Sequence, residues 1–145
     1  MALLLEVEEV QTIIQDIAEK NHLLDGTEFP EVMIELARSL AISEYNLIPP
    51  LSSDDINTFP SKALLMSGTL YKLFAGQAAL LFRNHMSYSD GNLVIPIEER
   101  GQFYQSLAAM YQADFTNGAK QLKIHLNMES GWGMVQSDYS SFPAW

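Results

Sequence analysis

Residues 61–85, SKALLMSGTLYKLFAGQAALLFRNH, form the most apolar stretch of the chain, and their reading decides the fold. Leu64, Leu65, Leu70, Tyr71, Leu73, Phe74, Leu80, Leu81 and Phe82 fall on several sides of a helical period, which marks a central helix with neighbours around it. Pro60 stands just ahead, where a proline opens a helix without breaking it. Gly68, Ala75, Gly76 and Ala79 set small side chains along a narrow stripe where another backbone can come close, and this predicts tight packing within the chain. A bilayer-spanning helix needs about 20 apolar residues. Lys72 interrupts the run and leaves only Leu73 to Phe82, so a membrane span is not expected.

Outward from this segment the period remains helical on both sides. Leu3, Val7, Val10, Ile14, Ile17 and Ala18 recur at three- and four-residue spacing, which predicts an amphipathic leading helix over residues 3–21. Thr27-Glu28-Phe29-Pro30-Glu31 has the proline and the acids of a helix start. The helix that follows is expected to bury Val32, Leu36 and Leu40, with Ile42 at the margin, and to stop at Pro49-Pro50. Residues 51–59 then read as a polar loop. From Ile97 a second long pattern runs through Phe103, Tyr104, Leu107, Ala108, Tyr111, Phe115, Leu122 and Leu126 to about Asn127, with a bend or break expected near Asn117-Gly118.

The connection RNHMSYSDGNLVIP, residues 83–96, reverses the chain between the two long helices. Ser89-Asp90-Gly91-Asn92 supplies the residue types of a tight turn, and Leu93-Val94-Ile95 is short and branched enough to run extended. The expected fold is therefore mainly α: a helical bundle with long amphipathic helices, a short extended loop or hairpin between two of them, and an extended tail. The division expected is a helical domain over residues 1–131 and an aromatic C-terminal tail over residues 132–145.

Composition narrows the function. The chain has 145 residues, 48% hydrophobic and only 18% charged, below the roughly 25% charge of ordinary globular domains. Much of the surface must be apolar or uncharged, which favours a subunit that buries surface against neighbours. With no cysteine there is no disulfide, thiolate metal site or cysteine nucleophile. A secretory signal peptide would need a basic stretch before its apolar run, whereas Met1-Ala2-Leu3-Leu4-Leu5 leads directly into Glu6, Glu8 and Glu9, so secretion is not expected.

The net charge of −10 sits entirely in residues 1–55, where twelve carboxylates face only Lys20 and Arg38. Residues 56–145 carry six charges of each sign. Duplex binding draws on Lys and Arg neutralising phosphates, so an acidic front half opposes a direct grip on nucleic acid. Glu6, Glu8, Glu9, Glu19, Glu28, Glu31 and Glu35 are expected on a lumen or solvent face, with no cation required.

Catalytic signatures are missing. The chain has no Gly-x-Ser-x-Gly elbow, phosphate-binding glycine loop, His-Glu-x-x-His helix or dinucleotide fingerprint. His22, His85 and His125 are scattered, without metal-ligand spacing. Asp54-Asp55 and Glu98-Glu99 lie by helix starts, where the helix dipole accounts for them. No catalytic residue, metal site or cofactor is expected. Trp132, Tyr139, Phe142 and Trp145 set four aromatics among serines and glycines, a composition that suits an interface; folding back on the parent core is the other reading of these side chains.

The order of parts resembles the neck proteins of tailed bacteriophages. An acidic leading helix, a proline-entered helix ending in ISEYNLIPP, an apolar helix running into RNHMSYSDGN, an amphipathic helix closing with KIHLNMESGWG, and an aromatic tail carry the likeness, over roughly Phe29 to Tyr139. The closest sense is the head-to-tail connector, or adaptor. The resemblance implies a non-enzymatic virion subunit, assembled in the host cytoplasm, that joins a homo-oligomeric ring, commonly of twelve copies, below the portal protein. The ring links capsid to tail, contacts a downstream neck or tail protein, and lets DNA pass through its channel without specific binding. Tyr88, Leu93 and Ile95 of the inter-helix loop, and Trp132, Tyr139, Phe142 and Trp145 of the tail, are then the partner-binding residues. The alternative, from another class, is a helical module that captures a peptide or protein in a groove beside its apolar helix.

Charge reversal on the acidic face is a direct check. Replacing several of the acidic residues named above by lysine is expected to create salt-sensitive duplex binding in a filter or anisotropy assay. Duplex binding by the unaltered chain at physiological salt would contradict it.

Overall fold

Two helices pack on a third. In this computed structural model, which describes residues 4–21, 26–84, 89–90, 93–94 and 99–132, α1 spans Val7–Ile13, α2 Glu31–Leu47, α3 Lys62–Arg83 and α4 Glu99–Trp132. Between α3 and α4 lies a two-residue antiparallel ladder, β1 (Ser89–Asp90) with β2 (Leu93–Val94), in which Ser89 faces Val94 and Asp90 faces Leu93. The protein is mainly α-helical, and the expected hairpin is this ladder. Pro60 precedes the first helical residue of α3 by two positions, and the Ser61 hydroxyl caps it by accepting the Leu64 N–H at 3.3 Å.

The central position of α3 follows from its side chains. Leu64, Leu65, Leu70, Leu73, Phe74 and Ala78 are all buried, α2 lying on one side and α4 on another. By length and composition α3 is apolar enough to cross a bilayer, contrary to the reading that Lys72 rules this out. Here it is the shared core helix. Lys72 is accommodated by its ion pair with Glu44 of α2 and by the Tyr71 ring 4.5 Å away.

Glycine permits the closest approaches. A methyl group on Gly68 would stand 2.7 Å from the Phe115 ring of α4 and 2.9 Å from the Ala41 methyl of α2. One on Gly118 would stand 2.9 Å from Leu64. The expected break at Asn117-Gly118 is therefore absent: α4 runs unbroken for 34 residues, about 51 Å at 1.5 Å per residue. Its glycine serves contact with α3. Gly76, by contrast, has nothing near its position, so only part of the small-residue stripe is a contact.

Three further expectations are corrected. The leading helix is only 7 residues long, because Gln15 takes a left-handed φ of 58° and Asp16 turns its carboxylate to the chain ahead. Asp16 accepts the N–H groups of Glu28 and Phe29 at 2.7 Å each and the Asn21 amide at 2.6 Å, which ties this segment to the start of α2. The buried face of α2 is Ile34, Ala37, Arg38, Ala41 and Tyr45; Val32, Leu36 and Leu40 are 74%, 59% and 47% exposed. Finally, α4 continues through Trp132, the first residue of the expected tail.

Polar groups staple the periphery. The Arg38 guanidinium donates to the Leu5 carbonyl at 2.6 Å, holding the leading segment on α2. Lys123 of α4 donates to the Pro50 carbonyl at 2.8 Å and the Ser52 hydroxyl at 2.6 Å, and sits 4.4 Å from the Tyr45 ring. Asn46 braces the same loop by donating to the Asp54 carbonyl at 2.9 Å and accepting from Ser52.

The contact at Gly68 yields a test. Gly68→Ala gains about 1 kcal/mol of helix propensity. It also forces a methyl against a rigid ring and a backbone-fixed methyl, an overpacking cost of about 1–3 kcal/mol. The variant should lower the urea midpoint, and Gly68→Val should lower it further. A midpoint raised in Gly68→Ala would show that the helices do not touch there.

Candidate interaction surfaces

The partner-binding residues named from the sequence divide by location. Leu93 lies in β2, paired with Asp90, and Trp132 ends α4. Tyr88, Ile95, Tyr139, Phe142 and Trp145 lie outside the described residues. The ladder places Leu93 on the connection between α3 and α4, so the loop and the α4 terminus are separate features of the fold.

The acidic set is mostly outward. Glu6, Glu8, Glu19, Glu31 and Glu35 are exposed. Glu9 is half-exposed, bridging α1 and α3 through an ion pair with Lys62. The Glu6 N–H and then the Lys62 ammonium hold the Glu9 carboxyl below its ordinary value. Glu28 departs from the expected solvent face. Its side chain is 16% exposed, accepting from the Gln77 amide at 2.8 Å and the Tyr104 hydroxyl at 2.9 Å, with Arg100 at 3.9 Å. A carboxylate withdrawn from water needs such donors, and here they join the start of α2 to α3 and α4.

An aromatic cluster surrounds that carboxylate. Phe29 meets Phe74 edge-on at 6.1 Å and Tyr104 at 6.5 Å, and Phe74 lies 5.8 Å from both Tyr104 and Tyr111. Together with Asp16 and Asn21 these rings border a recess of about 350 Å³. Both Glu28 oxygens are engaged by fixed donors, so the carboxylate braces three elements.

The paired acids of the sequence also acquire roles. One Asp55 oxygen accepts the N–H groups of Asn57 and Thr58 at 2.8 Å and the Thr58 hydroxyl at 3.0 Å, an aspartate turn ahead of α3. These N–H donors hold its carboxyl below the ordinary range. Among the described residues no three histidines or carboxylates are placed to share a metal ion.

What sequence reasoning missed is a pair of uncovered apolar seams. On α2, Val32, Leu36, Leu40 and Leu47 occupy one outward face, the last 73% exposed. On α4, Phe103, Met110, Ile124 and Met128 occupy another, with Phe103 at 72%. Both have helical spacing, the signal that was first assigned to burial on α2. No protein-family model, curated protein or solved structure matches this chain.

Tyr104 offers a spectroscopic test. Burial, and then its hydrogen bond to Glu28, push its hydroxyl up to about 12. Because the folded value is raised, the stabilisation is complete below the ordinary value of about 10. It is lost as pH rises from there through the folded value. Burial raises the Tyr45 hydroxyl as well, so two of the six tyrosines are expected to titrate late in an ultraviolet pH scan of the folded protein. Tyr104→Phe should diminish that late component and leave the part due to Tyr45; a late component of undiminished amplitude in the variant would contradict the assignment.

Proposed function

We propose that this chain is a structural, non-enzymatic subunit of a tailed-bacteriophage neck, a head-to-tail connector whose copies form a ring below the portal. The observation that carries the reading is the pair of apolar seams on opposite partners of the central helix. A chain with so few charges that leaves two such faces uncovered is suited to side-by-side assembly. The exposed acids of the front half suit a channel wall along which DNA moves without sticking. Leu93 and Trp132, with Tyr88, Ile95, Tyr139, Phe142 and Trp145 outside the described residues, are the proposed contacts to the portal and to a downstream neck or tail protein. The twelve-fold copy number and the virion location come from the family likeness.

Mass measurement tests the proposal. Native mass spectrometry or mass photometry, alone and with a portal ring, is expected to give a closed multiple of the 16.3 kDa subunit, twelve copies by the likeness. A stable monomer that ignores the portal and instead binds a peptide would overturn this function and favour the helical binding module.

A further inference from the structure

The two seams differ in chemistry, and the difference names the occupant of each. The α2 seam continues through Ser43 between Leu40 and Leu47, so that no charge lies within it. Exposed Glu31 and Glu35 flank it on one side. The α4 seam runs Phe103, Ser106, Met110, Ala113, Asn117, Gln121, Ile124 and Met128, all exposed, at steps of three and four residues. Charged residues lie at its margins: Lys120 as an exposed cation, Arg100 with Glu28 at 3.9 Å, and the exposed acids Asp114 and Glu129. Small side chains at Ser106 and Ala113 alternate with large ones, which leaves spaces for the knobs of a second helix.

We infer that the α2 seam of one copy packs on the α4 seam of the next copy of this chain. Charge favours this pairing over self-pairing: the α2 face carries the exposed acids Glu31 and Glu35 and no exposed cation, its Arg38 being buried, so two α2 seams bring together like charge alone, whereas the α4 margin offers the exposed Lys120. Because the two patches are different surfaces of one chain, the contact is head-to-tail around an axis, and such contacts close into rings when the rotation permits. The inference deepens the ring reading and rests on it, but it makes a separate claim about which faces meet.

The absence of native cysteine makes the test clean. Leu36→Cys, Phe103→Cys and Met110→Cys, all at exposed positions, are purified separately and checked for native helix content. Each is then oxidised alone and in pairwise mixtures. The expected result is a disulfide dimer in the mixture of Leu36→Cys with Phe103→Cys or Met110→Cys, at least tenfold above that of any variant alone. The α4 partner that reacts reports the register. Dimers formed mainly by Leu36→Cys alone would overturn the inference in favour of a two-fold contact. An assembled ring with no cross-link would overturn it while leaving the ring reading intact. A monomer at every concentration would overturn both. Preferential reaction of Leu36→Cys with a cysteine placed at Ser140 would assign the α2 seam to the C-terminal segment and likewise overturn it.

Discussion

Three helices meet at Gly68, and the rest of the fold depends on that contact. Phe115 and Ala41 both close on a position that has no room for a methyl group, so the Ala41 methyl of α2 and the Phe115 ring of α4 lie directly against the α3 backbone. This proximity buries Leu65, Leu70 and Leu73 together with Ile34 and Phe115, and burial of such side chains contributes about 1.5–3 kcal/mol each. The polar staples at Asp16, Glu28, Arg38 and Lys123 act from the edges of this arrangement. They orient the leading segment and the loop after α2 on a scaffold already determined by packing.

The same constraint turns α2 outward. Close approach to Gly68 requires small side chains, so Ala37 and Ala41 face inward with Ile34 and Tyr45, and the larger aliphatic side chains at 32, 36 and 40 are left on the far side. A helix apolar on two faces has one to spare. On α4 the inward face likewise uses Ala108, Phe115 and Ala119, and the spare seam carries Phe103 and Met110. In the assembly proposed above these two uncovered faces are the contact surfaces, and the unlike charges at their margins give it a direction.

Much of the architecture was legible in the sequence. The apolar run of residues 61–85, the prolines at 30 and 60 and the turn residues before Leu93 placed the principal helices and the hairpin, because helical period and proline geometry are local properties. The inward face of α2 was not legible, since Val32-Leu36-Leu40 and Ile34-Ala37-Ala41-Tyr45 are both periodic and period cannot choose between them. The choice is made by Gly68 on another helix. Nor could spacing show that Gly118 is a contact rather than a break, or that Glu28 leaves the acidic face for Tyr104 and Gln77, because each depends on a partner dozens of residues away. The aromatic tail and most of the inter-helix loop lie outside the described residues, so their proposed partner roles stand on composition and likeness.

The central claim is that the outer faces of α2 and α4 are covered by neighbouring copies. Hydroxyl-radical footprinting at increasing protein concentration reads this side chain by side chain. Leu36, Phe103 and Met110 are expected to lose reactivity together as assembly proceeds, while exposed Ile13 outside both seams keeps its reactivity. Unchanged reactivity at Leu36 and Phe103 in the assembled protein would contradict it.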